Sequence, residues 1–427
     1  MKDQISTYRG YLFYLSESNR ISGRYDMLYR AMTFCLLSVL VACGPTPPQP
    51  SGSETETPST GTEIASTETA TPVPNNISTG STIVNYRGNP QRTGVYDLPA
   101  IRELPEVKWQ TRLSSRWLMP PLISDGILYT GGGEDGILYA LDLQTGEKLW
   151  ATGGFGSMES TGAVAGEIIV AGGYSNLVQA LDRLTGEVLW SFNAKYFVQG
   201  SPLIVDEVVY IATDHACYAL DLQTGQLIWE KATGEEGAFM GAPAYENGVI
   251  YTTAAKRLLA LDSESGTEIW HTELATSFLA LAVADGFVYV GNMDRFFRAY
   301  DQNTGHKVWE FEAEGEFWSA PAIAGDILYA GNVDKYIYAL NSRTGEMLWS
   351  FETGGDAVSE PSLADGVVYV SDSSHLFPSG TRHLYALDAI TGELLWTFET
   401  VSTFLPAPAL DDDSIFITSR GEVLALK

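Results

Sequence analysis

Three cysteines in 427 residues cannot supply a disulfide framework. Cys35 lies inside an apolar run, Cys43 closes that run, and Cys217 stands alone in a strand-like stretch, where it is expected to serve as a small buried hydrophobe. Histidine is as scarce: His215, His271, His306, His375 and His383 are scattered without metal-ligand spacing. Basic residues number 25 against 53 acidic ones, and residues 81–427 hold 20 of the former and 46 of the latter. A body this acidic repels phosphate backbones, so nucleic acid is not an expected partner. There is no helical 3.6-residue period, and no GxGxxG or P-loop string in a strand-to-helix context. No Ser-His-Asp arrangement can be assigned, and no apolar stretch is long enough to span a membrane comfortably.

The longest apolar run, Ala31 to Ala42, follows Arg30 and has the length of a signal-peptide core. It ends in Leu40-Val41-Ala42-Cys43, which resembles the bacterial lipobox, where the signal is cut before the cysteine and the new terminus is lipidated. Cys43 is therefore the expected lipidation site; the plain alternative is a simple secretory cut. A multiply acylated cysteine holds a protein stably on a membrane, since each buried CH₂ contributes about 0.8 kcal/mol. Residues 1–43 read as a signal or lipoprotein peptide, with Met27 as the expected true start and 1–26 as an upstream extension. Residues 44–82, rich in Ser, Thr, Pro and Glu, cannot bury enough surface to order themselves and are expected to form a disordered tether.

Residues 140–150 read ALDLQTGEKLW, and six further copies end at Trp190, Trp229, Trp270, Trp309, Trp349 and Trp396. Most are about 40 residues apart, and each contains short alternating apolar runs separated by turn signals. Four strands per repeat is the pattern of a propeller blade. The last copy stops after three strands, at Leu424-Ala425-Leu426-Lys427, while Pro105-Glu106-Val107-Lys108-Trp109 aligns with the missing fourth. Residues 83–427 are thus expected to form an all-β, eight-bladed β-propeller of four-stranded antiparallel blades, closed by an N-terminal strand that completes the last blade and removes exposed edges.

Within the motif, the Asp and the Thr-Gly pair suit a hairpin in which glycine takes positive φ and the carboxylate accepts backbone N–H groups. Trp109, Trp150, Trp190, Trp229, Trp270, Trp309, Trp349 and Trp396 then fall on outer strands, where they are expected to pack between blades rather than to do chemistry.

The motif A-x-D-x-x-T-G-x-x-x-W resembles the tryptophan-docking repeat of the pyrroloquinoline-quinone (PQQ)-like β-propeller superfamily, which is WD40/YVTN-like in outline, and "NYRGNPQRTGV" (85–95) resembles a leader often found ahead of its first blade. That superfamily includes quinoprotein dehydrogenases, BamB-type outer-membrane assembly lipoproteins and sensor domains, so fold alone does not assign function. The absence of a Cys-Cys pair, the few insertions and the sparse basic groups argue against the dehydrogenases, whose PQQ and Ca²⁺ require such features. The lipobox, tether and compact ring resemble the BamB-type lipoproteins. The resemblance implies a non-enzymatic, extracytoplasmic scaffold, lipid-anchored at the outer membrane or cell surface, that binds a protein or extended peptide and needs no cofactor. The alternatives are a PQQ-binding dehydrogenase or ligand sensor, and a carbohydrate-binding surface protein.

Aligning the blades on the prolines that open their first strands places Trp117, Met158, Phe239, Met240, Phe278, Phe317, Trp318 and Phe404 at the channel mouth, as candidate partner contacts. The plain alternative is that half of them fold inward as core. A second candidate is the insertion 371–383, which lengthens one repeat. Asp135, Asp214, Asp294 and Asp334 recur by blade and are expected to shape turns.

Overall fold

Alternating apolar residues, three to six at a time between Gly- and Asp-rich turns, have room to bury one face only by stacking sheet on sheet. The computed structural model describes residues 83–427 apart from 214, 233–240, 255, 275–280, 356, 374–379 and 403–405. The signal, lipidation and tether assignments lie outside these residues. Among the described residues there are 35 strands and no helix.

The strands form eight antiparallel blades of the expected propeller. Blade 1 runs through Leu122–Ser124, Ile127–Gly131, Ile137–Asp142 and Lys148–Gly153, from the channel outward. Blades 2 to 7 repeat this order, their inner strands being Ala163–Ala165, Leu203–Val205, Ala244–Glu246, Leu281–Ala284, Ala322–Ala324 and Ser362–Ala364. Blade 8 comprises Ala409–Asp411, Ser414–Ser419 and Glu422–Leu426, and takes Val107–Arg112 as its outer strand, with Trp109 opposite Ala425. The ring is therefore closed from both ends of the chain, as the repeat count requires.

Each motif tryptophan faces the motif alanine of the neighbouring strand, as Trp150 faces Ala140 and Trp229 faces Ala219. Its indole reaches across to the next blade. Trp190 Nε1 donates to Leu222 O at 2.8 Å, Trp229 Nε1 to Ser263 O at 2.9 Å and Trp309 Nε1 to Ser342 O at 2.8 Å. The hairpin that receives the ring is built as expected: Asp221 Oδ1 accepts from Thr224 N and Thr224 Oγ1, at 2.8 and 2.6 Å, and Gly225 has φ +67°. A Cβ on Gly225 would lie 2.5 Å from the Trp190 ring, so glycine serves both the turn and the close approach. At about 25 cal/mol/Å² and on the order of 200 Å² per indole, each docking contributes roughly 5 kcal/mol before entropy is subtracted.

A second-strand tyrosine, which the repeat pattern alone did not single out, shares the acceptor. Tyr210 OH donates to Ser263 O, Tyr289 OH to Ser342 O and Tyr329 OH to Ala389 O, beside the corresponding tryptophans. One carbonyl thus fills both lone pairs across each of these blade junctions. Blade 8 has no Thr-Gly turn to offer blade 7, and Ile101 of the N-terminal segment stands in: Trp396 Nε1 donates to Ile101 O at 2.9 Å, and Tyr369 OH joins it at 3.2 Å. Cys217 is fully buried, and burial pushes its thiol up to about 12, in keeping with a packing role.

The segment 83–96 enters the centre of the ring and hydrogen-bonds the inner strands. Ile83–Val84 pairs with Ala163–Ala165 of blade 2, and Asn85 both accepts from Ile204 N and donates to Ile204 O in blade 3. Pro90 O accepts from Tyr245 N in blade 4 and Gln91 O from Val283 N in blade 5. Thr93 O then accepts from Ile323 N in blade 6, and Gly94 O from Leu363 N in blade 7. Two buried arginines hold this leader in place. Arg92 donates to Pro243 O at 2.6 Å, Ser201 O at 2.9 Å and Pro202 O at 3.2 Å, and Arg87 donates to Pro321 O at 2.6 Å and Pro361 O at 3.1 Å. Desolvation, with their mutual repulsion at Arg92, brings Arg92 down to about 9; desolvation brings Arg87 down to about 10.

Candidate functional site

In a four-stranded blade, the loop that opens the inner strand and the turn joining the second and third strands lie at the same end. That end carries the channel-mouth candidates. Trp117 stands just ahead of the inner strand of blade 1 and is 44% exposed. Gly133 N donates to Trp117 O at 3.0 Å, and the indole occupies the space that a side chain on Gly133 would need. Ser157 Oγ donates to Gly133 O, and Tyr174 N to Ser157 O at 2.9 Å, which carries the path into blade 2. Tyr174 stacks on Phe197 with ring centres 5.2 Å apart, and Tyr196 meets His215 edge-on at 4.5 Å in blade 3.

Tyr174, Phe197 and Tyr196 thus lie together over blades 2 and 3, and Trp117 lies at the same end of blade 1, joined to them through the Gly133 and Ser157 hydrogen bonds; this aromatic strip has Trp117 and Tyr196 exposed. Acids border it: Tyr174 OH donates to Glu159, and Glu134 lies 3.6 Å from exposed Arg116. Tyr174, Tyr196 and Phe197 were not candidates from sequence, because only tryptophan is rare enough to stand out from the docking series. The usable signal was their position, in loops that serve no docking role.

The other candidates divide. Trp318 is 39% exposed at the same end of blade 6, three blade steps from Trp117, with its Nε1 donating to Glu316 at 2.6 Å. Burial raises the Glu316 carboxyl above its ordinary value. Met158 and Phe317 are buried completely and correct the expectation that they face a partner. Met158 fills the space beside Gly131, and Phe317 packs edge-on against Phe297 at 5.3 Å and against Tyr338. Both fill a gap between neighbouring sheets, although they stand five residues ahead of their inner strands, the same offset as exposed Trp117. Phe239, Met240, Phe278 and Phe404 lie outside the described residues.

The insertion in blade 7 joins Val367–Ser373 to Gly380–Asp388, and 374–379 fall outside the described residues. At its base, buried Asp372 accepts from His383 Nδ1 at 2.7 Å, His383 N at 2.8 Å and Tyr385 OH at 3.0 Å. The recurrent turn acids behave as expected where they are described: Asp135, Asp294 and Asp334 each accept the N–H two residues on. Asp214 lies outside the described residues.

A quinone bearing carboxylates, with its Ca²⁺, would need free cationic donors and clustered acids. Arg87 and Arg92 donate to main-chain carbonyls instead, and the leader lies across the inner strands of blades 2 to 7. Among the described residues no group of three His, Cys, Asp or Glu side chains is placed to hold a metal ion. Among the described residues, the donor set around the channel does not fit the quinone and its metal.

A family model described as "Outer membrane protein assembly factor BamB" matches residues 102–236, 134–277 and 217–427. Over 127 residues, covering 27% of this chain and 16% of the relative, the sequence is 30% identical to the serine/threonine-protein kinase AfsK of Streptomyces griseus. Over 237 residues, covering 51% of this chain and 59% of the relative, it is 27% identical to the outer membrane protein assembly factor BamB of Yersinia pestis. The chain thus spans less than two thirds of either relative's length.

Among solved structures, the quinohemoprotein alcohol dehydrogenase ADHIIG of Pseudomonas putida HK5 is similar with a TM-score of 0.69 at 14% identity, covering 81% of this chain and 80% of that one. BamB of Moraxella catarrhalis is similar with a TM-score of 0.59 at 19% identity, covering 76% and 100%. At these identities the likeness is one of fold.

Proposed function

The chain belongs to the family of the outer membrane protein assembly factor BamB, and from that premise we propose that it is a non-enzymatic scaffold whose propeller binds another protein. The observation that carries this reading is the aromatic strip from Trp117 to Tyr196. Its members lie at one end of blades 1 to 3, are partly exposed and bordered by acids, and take no part in tryptophan docking. Large aromatics on a rigid frame give binding energy at little entropic cost, which suits a protein or extended-peptide contact. The leader's occupation of the ring centre favours binding on this face over a ligand held in the channel.

Cys43 is the proposed lipid anchor and residues 44–82 the proposed tether, which together place the propeller outside the cytoplasm, at the outer membrane or cell surface. The test is recovery of partners from native envelopes with wild type, a Trp117→Ala/Tyr196→Ala double variant and Trp318→Ala. A defined protein that is captured by wild type and lost at least tenfold from the double variant supports the scaffold. Unchanged recovery, or turnover of an alcohol with added PQQ and Ca²⁺, defeats it, and selective capture of glycans transfers the strip to a carbohydrate ligand.

A further inference from the structure

The leader covers the inner strands unevenly. The middle residue of every inner strand sits in a wide, non-hydrogen-bonded pair of the blade ladder, so its N–H points into the channel. In blades 3 to 7 those donors, on Ile204, Tyr245, Val283, Ile323 and Leu363, reach oxygens of the leader, and in blade 2 the strand Ile83–Val84 pairs alongside. Blades 8 and 1 are adjacent, and their equivalent donors are Leu410 N–H and Ile123 N–H. Among the described residues nothing accepts from either.

A cavity of about 330 Å³ lies there, between the leader at Val84–Gly88 and Tyr96 on one side and the strands of blades 1 and 8 on the other. This is the low end of the ~300–1,000 Å³ range of ligand sites. It extends from Pro121 to the Asp125–Gly126 turn, and Asp125 and Asp411 border it. Leu410 is buried and Ile123 half-buried, and with their N–H groups facing the cavity the pair favours an occupant that offers two acceptors.

The leader shows which backbone arrangement meets such a pair. Consecutive carbonyls, Pro90 O and Gln91 O, serve neighbouring blades 4 and 5, and Thr93 O and Gly94 O serve blades 6 and 7. We infer that the cavity beside blades 8 and 1 takes a short extended, cationic peptide segment of a partner protein, whose consecutive carbonyls accept from Leu410 N–H and Ile123 N–H. Asp125 is already paired with Arg183 at 3.2 Å, so the complement to a positive side chain at the end of the segment is Asp411. The inference rests on the protein-binding reading but places a second contact in the channel, apart from the aromatic strip.

The experiment titrates the isotope-labelled full chain with the synthetic peptide acetyl-Asn-Pro-Gln-Arg-amide, which reproduces the leader's own acceptors at residues 89–92 and ends in a base. Amide shifts and hydrogen exchange are read at Ile123 and Leu410. Saturable binding that slows exchange of these two amides at least tenfold, without touching Tyr245 or Val283, is the expected result. Asp411→Asn should weaken the peptide about tenfold, and the cavity-filling Ala409→Phe should abolish it; if the latter fails to fold, Asp411→Asn decides. No saturation at millimolar peptide, shifts confined to the aromatic strip, or Ile123 and Leu410 amides already protected before peptide is added would each overturn the inference. Because the aromatic residues lie apart from this cavity, failure of the peptide to bind wild type while partner capture persists defeats this inference alone, whereas capture unchanged by Trp117→Ala/Tyr196→Ala defeats the scaffold reading.

Discussion

Gly225 combines two demands that other glycines meet singly. Its φ of +67° excludes most side chains, and a Cβ there would meet Trp190 at 2.5 Å, whereas Gly248, with φ +83°, has nothing within 4 Å. Gly248→Ala should therefore cost about 1 kcal/mol, the penalty for backbone alone. Gly225→Ala should cost about 2–4 kcal/mol, because overpacking adds to it. Urea unfolding of the two variants side by side checks the difference, and equal midpoints would mean that the indole does not rest on the turn. The motif's Gly and Trp were legible in the sequence because repetition displays them seven times, and its Asp six times, with Asn341 in the remaining copy. The partnering tyrosines were not, since ILY, VVY and VIY read as ordinary strand residues until the shared carbonyl is seen. Met158 and Phe317 were misplaced for a related reason: they share with Trp117 an offset of five residues from the inner strand, and that offset alone does not tell the rim from the gap between sheets.

At the level of the blade, strand number, order and closure followed from counting turns and tryptophans, and the partner of Val107–Arg112 is the one that spacing demanded. What spacing could not supply was the receptor for Trp396, because Ile101 belongs to no motif and is brought there only by the path of the chain. This junction gives a prediction specific to it. Trp396→Ala and Trp229→Ala both delete a docked indole and should destabilise by about 3–5 kcal/mol. Only Trp396→Ala should also release the segment around Ile101, read as faster proteolysis between residues 97 and 106 at a temperature where both variants remain folded. Equal cleavage in the two would show that Ile101 is held by other contacts.

Across the whole molecule, the leader is the feature that the sequence concealed most fully. The stretch 85–95 stood out only as resembling a leader, with no role for its two arginines, yet they sit in the ring centre bonded to main-chain carbonyls. Arg92→Met should leave the carbonyls of Ser201, Pro202 and Pro243 without their donor and expose the amides of Tyr245, Val283, Ile323 and Leu363 to exchange together. Arg92→Lys should rescue little, because a point charge cannot reach three acceptors in a fixed fork. Independent exchange of those amides would mean that the leader is held locally, one blade at a time.

The acceptors for residues 83–96 are distributed from blade 2 to blade 7, although this stretch is synthesised before any of them. A nascent chain that has completed only four blades can seat the leader no further than Pro90, and the remainder waits for blades 5 to 7. The earliest-made part of the propeller is consequently among the last to settle, and its burial acts as a check that the six blades it touches have all been made.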